Sequence, residues 1–327
     1  MANVEGAAVR STPSLSSQSN RHSKIDTRRS TLEDPRFGGV EAGGTKVVCA
    51  TGDASGSVRE RTRIETTTPE ETLRAVVDFF EDRSLEAVGV GSFGPVDDNP
   101  DSPTYGFITN TPKNGWQHTD VRGPIREALG VPVAFDLDVN AAALGEHHGG
   151  AGRDVDAFVY LTVGTGVGGS FMQSGRPLRG LLHPEIGHLR LPRASGDDFA
   201  GHCPFHGDCL EGLAAGPAIE ARWGRSPADL PDDHPAWELE AHYLGIAVAN
   251  LACTLAPERV ILGGGVMHRR QLFPMIRRVV RERLGGYLDH PRFTEHLDEF
   301  VTPAALGDEN GVRGALAMAR QAAQYDC

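Results

Sequence analysis

The sequence is poor in several features that mark other classes of protein. No apolar run approaches the roughly 18 residues that a membrane-spanning helix needs, and the first 35 residues contain no apolar segment like that of a secretory signal. Only five cysteines occur in 327 residues. This small, odd number argues against a disulfide scaffold and favours a reducing compartment. We therefore expect a cytoplasmic protein with no membrane partner.

Positive charge is also scarce, and it comes almost entirely from arginine. The chain has 32 Lys and Arg against 44 Asp and Glu, which gives a net charge of −12. Nucleic acid is bound mainly through Lys and Arg, so no nucleic-acid partner is expected. The 40 glycines and 21 prolines make up about 19% of the chain, below the roughly 25–30% that suggests low complexity. The composition is that of a large globular protein.

Alternating strand and helix patterns follow a polar N-terminal stretch, residues 1–35, which we predict to be a disordered tail. A strand, a glycine turn and a return strand occur twice, about 120 residues apart, which predicts two related α/β halves facing a cleft. Apolar residues recur at helical spacing in six segments, which are 69–80, 121–129, 140–147, 238–255, 271–284 and 311–323. Buried strands are predicted at 38–41, 47–50, 87–90, 131–135, 157–163, 170–172 and 259–262.

Three glycine-rich turns end apolar strands, where backbone N–H groups can converge on a phosphate. Neither of the first two fits the Walker pattern, and neither opens a helix as a dinucleotide fingerprint requires. A hairpin needs glycine in any case, so each turn alone is a weak signal. Together they favour a phosphate-binding site. The three turns are Gly43-Gly44-Thr45-Lys46, Gly164-Thr165-Gly166 and Gly263-Gly264-Gly265.

A carboxylate pair stands where a strand is predicted to end and a helix to begin, at Asp136 and Asp138. A carboxylate at such a place can project into a cleft and accept a proton from a substrate hydroxyl during phosphoryl transfer. The alternative is that Asp138 or Asn140 only caps the helix.

The strongest chemical signal is a set of His and Cys residues. Cys203, His206 and Cys209 have C-x2-H-x2-C spacing, and with His188 they supply an N2S2 ligand set suited to structural zinc. The alternative is two free cysteines in a His-rich loop, and His202 or, less strongly, His183 competes for the fourth position. The flanking acids Glu185 and Glu211 either accept hydrogen bonds from sugar hydroxyls or are solvated loop residues.

Eight segments together resemble the ROK family of sugar kinases and, within it, the bacterial-type fructokinases. The match extends from about residue 37 to 320 and is most specific where the zinc segment joins the His183–Pro184 motif. The segments are 39–46, 91–95, 109–112, 137–146, 165–169, 183–188, 203–212 and 263–266.

The resemblance implies an α/β protein with the actin/hexokinase-like (RNase H-like) fold, in which two domains surround a cleft. It implies a small N-terminal domain over 36–138, joined by a C-terminal helix over 309–325, and a large domain over 139–308 that carries the zinc-binding loop. Such kinases are usually homodimers, so a homodimer is expected here.

The resemblance also implies Mg²⁺-dependent transfer of a phosphoryl group from ATP to the 6-hydroxyl of fructose, with Asp138 as the general base. Sugar hydroxyls would be held by Asn110, Glu185, His188 and Glu211. The ATP phosphates would be surrounded by Gly43, Gly44, Thr45, Lys46, Thr165 and Gly166, with Gly263, Gly264 and Gly265 near the nucleoside. Zn²⁺ would be bound by His188, Cys203, His206 and Cys209.

Three departures from the glucokinases of this family favour the fructokinase branch. They are Glu41 where many of those enzymes have Asp, the His183–Pro184 pair, and the C-x2-H-x2-C spacing of the zinc loop. The alternatives are a kinase for glucose, mannose or N-acetylmannosamine, and a non-catalytic sugar-sensing regulator. A DNA-binding regulator would need a larger, basic N-terminal domain than the 35-residue tail provides.

Overall fold

Two five-stranded sheets form the centre of the computed structural model, which describes residues 36–53 and 55–325. The predicted N-terminal tail lies outside these residues. The first sheet contains β1 (Phe37–Ala42), β2 (Lys46–Gly52), β3 (Val58–Glu65), β4 (Ala87–Ser92) and β7 (Val133–Leu137). The second contains β8 (Ala157–Val163), β9 (Val167–Gln173), β10 (Arg176–Pro177), β11 (Arg259–Gly263) and β12 (Val301–Pro303). A small ribbon pairs β5 (Phe107–Ile108) with β6 (Thr119–Asp120).

The two sheets repeat the same arrangement of strands. The first has the order β3-β2-β1-β4-β7, with two antiparallel pairs followed by two parallel pairs. The second has the order β10-β9-β8-β11-β12 and the same sequence of directions. The glycine turn between β1 and β2 therefore corresponds to the turn between β8 and β9. The internal repeat predicted from these two turns is confirmed.

The helices lie between and against the sheets, and all six predicted helices are present. Helix α1 begins as its sequence predicts, because the Thr68 side chain accepts a hydrogen bond from the N–H of Glu71 and Pro69 occupies the first turn. The helices are α1 (Pro69–Phe80), α2 (Arg122–Leu129), α3 (Asp138–Gly149), α4 (Leu210–Ala214), α5 (Gly216–Trp223), α6 (Ala236–Leu255), α7 (Leu272–Leu284), α8 (Pro291–Thr294), α9 (Leu297–Phe300) and α10 (Asn310–Tyr325). Within the described ranges, none is long and apolar enough to cross a membrane.

Each sheet has its own apolar core. The first sheet packs with α1 and α2 around the buried side chains of Phe80, Ile125 and Phe135. The second packs with α6 and α7 around Trp237, Tyr243 and other buried residues. Helix α6 is buried along most of its length, which explains why its sequence is apolar on nearly every face.

The C-terminal helix α10 packs against α3 and against strands β1 and β4 of the first sheet. The two helix backbones touch, because a Cβ added to Gly314 would lie 1.6 Å from the carbonyl oxygen of Ala141. Only glycine permits this approach. The crossing lies within the first turns of α3, the helix that begins at Asp138.

Sequence patterns did not predict β3. Its side chains are exposed or partly exposed, and none is fully buried. It is an edge strand of charged composition, VRERTRIE, and such strands carry no apolar run from which to recognise them.

Candidate functional site

Strand β7 delivers Asp138 to the start of helix α3. The strand ends at Leu137, the helix begins at Asp138, and the N–H of Val139 donates a 2.7 Å hydrogen bond to Asp138 Oδ1. Burial is the largest influence on this carboxyl and, together with the negative charges of Glu41 and Glu185, it raises the pKa of Asp138 to about 7. A carboxyl with that pKa can take up and release a proton near neutral pH.

The first glycine turn joins β1 to β2 beside this carboxyl. The N–H of Gly43 donates to the carbonyl oxygen of Lys46 at 2.9 Å, and the Thr66 hydroxyl donates to the carbonyl oxygen of Gly43 at 2.8 Å. Near the end of β1, burial raises the pKa of Glu41 although the charge of Lys46 opposes this. The four predicted phosphate-binding residues of the turn, Gly43, Gly44, Thr45 and Lys46, all keep accessible surface.

The second and third glycine segments lie next to each other. In the second, the N–H of Gly164 donates to the carbonyl oxygen of Gly166 at 2.8 Å, which leaves Thr165 exposed at the tip. In the third, Gly264 has φ +89°, and a Cβ there would lie 2.4 Å from the carbonyl oxygen of Val163. The strand ends that carry Gly164 and Gly263 are neighbours in the second sheet. The structure therefore brings both segments to one edge of that sheet.

The four predicted zinc ligands converge. Their ligand atoms all lie within 4.8 Å of one another, and Cys203 and Cys209 are buried while His206 is exposed. His188 Nδ1 lies 3.5 Å from Cys209 Sγ and 3.8 Å from Cys203 Sγ, and His206 Nδ1 lies 3.7 Å from Cys203 Sγ.

These donors fit zinc better than another metal. Two thiolate sulfurs and two imidazole nitrogens are a typical tetrahedral zinc set, and bond lengths of about 2.0–2.3 Å place neighbouring ligand atoms roughly 3.3–3.8 Å apart. The alternative ligands lie elsewhere. His183 pairs with Glu185 at 3.0 Å. His202 is exposed, and its backbone N–H donates to the carbonyl oxygen of Gly212.

Three of the four predicted sugar-binding residues contact or lie near other parts of the site, and Asn110 does not. Glu185 acts on the pKa of Asp138, so the two carboxyls are close. His188 Nδ1 faces the sulfur atoms of Cys203 and Cys209, so its Nε2 is not needed for that group of ligands. Glu211 accepts a 3.1 Å hydrogen bond from the N–H of Val167, so it also supports the second glycine turn. Asn110 is exposed in the loop after β5, and no hydrogen bond of the described residues joins it to these acids.

Sequence reasoning missed the groups that support these side chains. Arg179 donates a 2.5 Å hydrogen bond to Asp136 and lies 3.3 Å from a carboxylate oxygen of Asp98. Asp136 is buried and also accepts from the Asn140 side chain at 2.7 Å. No local sequence pattern marks Arg179 or Asp98. Arg179 is 43 residues from Asp136 and 81 residues from Asp98 in the chain, so only the fold brings them together.

Residues 37–322 match the model of the ROK family. The chain belongs to the ROK family. It is 46% identical to a fructokinase from Pediococcus pentosaceus over 286 residues, which is 88% of this chain and 98% of the relative. It is 43% identical to a fructokinase from Lactococcus lactis subsp. cremoris over 256 residues, which is 78% of this chain and 87% of the relative.

Solved ROK structures share the fold. A ROK family glucokinase from Streptomyces griseus, solved in complex with glucose and AMPPNP, superposes with a TM-score of 0.71 over 88% of this chain and 99% of that chain, at 27% identity. The predicted actin/hexokinase-like α/β fold is therefore confirmed.

Proposed function

We propose that this protein is an ATP-dependent fructokinase, which transfers the γ-phosphoryl group of ATP to the 6-hydroxyl of D-fructose and gives fructose 6-phosphate. One observation carries the choice of sugar: identity is 46% and 43% to two fructokinases across most of their length, but 27% to the ROK glucokinase. All three relatives are named as sugar kinases, so phosphoryl transfer to a sugar agrees with the whole family. Fructose as the acceptor agrees with the two more similar relatives.

Asp138 is the general base in this proposal. It accepts the proton of the acceptor hydroxyl as that oxygen attacks phosphorus, and its raised pKa, about 7, suits a base that works near neutral pH. The other carboxyl at the end of β7, Asp136, is less suited to this role. It is buried and already bound by Arg179 and Asn140.

The two glycine turns bind the nucleotide phosphates. Backbone N–H groups at Gly44, Thr45 and Thr165, with the Lys46 ammonium, provide donors and positive charge at accessible positions. Gly263, Gly264 and Gly265 lie beside the second turn and are assigned to the nucleoside. Mg²⁺ is bound through oxygen and usually needs only one or two protein carboxylates besides the phosphates. Glu41, which lies near the first glycine turn, is the carboxylate that fits.

Sugar hydroxyls are assigned to Glu185, His188, Glu211 and Asn110. Glu185 keeps half of its side chain exposed beside Asp138. Glu211 has acceptor capacity beyond its one backbone hydrogen bond. Asn110 lies in an exposed loop, so its assignment requires the loop to face the bound sugar.

Zn²⁺ is assigned to His188, Cys203, His206 and Cys209, where it supplies structural cross-linking of two loop segments. Because His188 would bind through Nδ1, its Nε2 stays available to a sugar hydroxyl. Zinc binding would thereby hold His188 in one orientation, and the role of the metal would be structural.

The domain limits and assembly are also proposals. The small domain comprises 36–138 with the helix over 309–325, which packs on β1 and β4 of this domain and also on α3 at the start of the large domain. The large domain comprises 139–308. A homodimer in the cytoplasm is proposed from the resemblance to this family of kinases.

Product identity tests the proposal directly. The purified protein is incubated with Mg-ATP and fructose, and the product is analysed by phosphorus NMR. We expect stoichiometric ADP and fructose 6-phosphate. Formation of fructose 1-phosphate would contradict the assigned orientation of the sugar, and ADP formation independent of fructose would contradict the assigned acceptor. The Asp138→Asn variant, which removes the base, is the matched negative control.

A further inference from the structure

Side chains of alternating charge lie between the first sheet and the candidate sugar site. They are Asp136, Arg179, Asp98, His183 and Glu185, and we call this set the Arg179 bridge. Arg179 contacts Asp136 at 2.5 Å and Asp98 at 3.3 Å, and it also donates to the carbonyl oxygen of Asp98 at 3.0 Å. His183 contacts Glu185 at 3.0 Å.

The bridge joins elements from the two sheets. Asp136 lies in β7, and Asp98 lies in the loop after β4 of the same sheet. Arg179, His183 and Glu185 come from the segment that follows β10 of the second sheet. Asp136 is two residues before Asp138, so the bridge ties the segment that carries Glu185 to the strand that delivers the candidate base.

Charges along the bridge compensate one another. Burial would raise the pKa of Asp98, but the neighbouring His183 and the charge of Arg179 lower it overall. Burial would lower the pKa of His183, but the neighbouring carboxylates of Asp98 and Glu185 raise it to about 9. The protonated imidazole donates to Glu185 through Nε2, whereas Nδ1 has no hydrogen-bond partner among the described residues.

Exposure differs sharply along the bridge. The His183 side chain is 3% exposed, whereas that of Glu185 is 50% exposed. A half-exposed glutamate free to rotate would lose side-chain entropy when it binds a ligand. The contact with His183 holds Oε1 of Glu185 in advance and leaves the second oxygen for a ligand.

We propose that His183 and Arg179 are positioning residues of the sugar site. His183 fixes the orientation of Glu185, and Arg179 fixes the segment that carries both residues against the strand that leads to Asp138. The bridge thereby sets the distance between a sugar-binding oxygen and the base. In naming fructose as the sugar held there, the inference rests on the proposed function.

The central test is a double-mutant cycle between His183 and Glu185. His183→Gln, Glu185→Gln and the double variant are compared with the wild type by steady-state kinetics and by calorimetric fructose binding. His183→Gln should raise the KM for fructose about tenfold or more, as expected for loss of one charge-assisted hydrogen bond. The KM for Mg-ATP, zinc content and melting temperature should stay close to wild type. In the Glu185→Gln background the same change should have little further effect, because His183 acts through Glu185.

Arg179 is tested with a conservative variant and a matched control. Arg179→Met should weaken fructose binding. Arg179→Lys should restore part of it, since the ammonium keeps the positive charge but lacks the planar set of N–H donors of the guanidinium group. Arg176→Met removes an exposed arginine three residues earlier in β10 and should behave like wild type. If His183→Gln does not fold, these variants still test whether the Arg179 bridge positions the sugar site.

The outcomes separate this inference from the proposed function. If the wild type phosphorylates only another sugar, the proposed substrate is wrong, and the same cycle measured with that sugar tests the bridge. Fully additive effects of His183→Gln and Glu185→Gln, equal loss in Arg176→Met, or a parallel rise in the KM for Mg-ATP would each overturn the positioning role.

Discussion

The raised pKa of Asp138 predicts how turnover depends on pH. The general base must be ionised to accept a proton, and burial with the charges of Glu41 and Glu185 raises its pKa to about 7. The value of kcat/KM for fructose should therefore rise with pH through about 7 and level off above about 8. At pH 6 about one molecule in eleven would be ionised, so the ratio should be about tenfold below its plateau, and at pH 5 about a hundredfold below.

An ordinary aspartate would behave differently. With a pKa of about 3.9 it would be more than nine-tenths ionised at pH 5, and the profile would be nearly flat between pH 5.5 and 8. The assay follows ADP release at constant ionic strength, with the nucleotide kept as its magnesium complex. The assay is repeated with a sugar that is phosphorylated slowly. A substrate that reacts faster than it dissociates would shift the apparent pKa of the profile away from the pKa of the base. A flat profile with both sugars would refute the reasoning.

The same pKa has a consequence for stability. Unfolding returns Asp138 to its usual pKa of about 3.9, so the folded protein holds a proton that the unfolded chain releases between about pH 4 and 7. The folded state therefore loses stability as pH rises through this range. Asp138→Asn, which cannot ionise, should melt at a higher temperature than wild type at pH 8 and at a similar temperature at pH 4.

Three further substitutions test the surroundings of the site. Cys203→Ser should lose zinc by elemental analysis and melt at least about 10 °C lower, because metal binding is coupled to folding of its ligands; unchanged zinc content would refute the ligand assignment. Glu146→Gln should cost about 2–3 kcal/mol in urea unfolding, because the buried carboxylate accepts from the N–H groups of Ala151, Ala305 and Leu306; an unchanged urea midpoint would count against this role. Gly314→Ala should cost about 3 kcal/mol by forcing α10 away from Ala141, whereas Gly149→Ala, with only ordinary contacts to Leu306, should not.

Local features of the chain were predictable because they depend on near neighbours. The six predicted helices follow from apolar spacing and, at α1, from Pro69 at its start. The glycine turns at Gly43 and Gly164 revealed the internal repeat because each joins two strands that are adjacent in sequence. The metal ligands were recognisable because three of the four lie within seven residues.

Long-range electrostatics could not be predicted in this way. Asp138 could be named from its position, but its pKa depends on burial and on Glu41 and Glu185, which are distant in sequence. Arg179 has no motif of its own and acquires its role only when folding brings Asp98 and Asp136 to it. Strand β3 was missed because it lies at a sheet edge and has no fully buried side chain.

The most direct test of the central claim compares kcat/KM for fructose, glucose, mannose and N-acetylmannosamine, measured as ADP formation by the zinc-loaded full-length protein with Mg-ATP. We expect fructose to be preferred over each of the others by at least about tenfold, or about 1.4 kcal/mol in transition-state binding. A preference for another sugar would contradict the fructokinase assignment while leaving the fold and the base intact. No turnover on any of the four by folded, zinc-containing protein would contradict the kinase assignment itself.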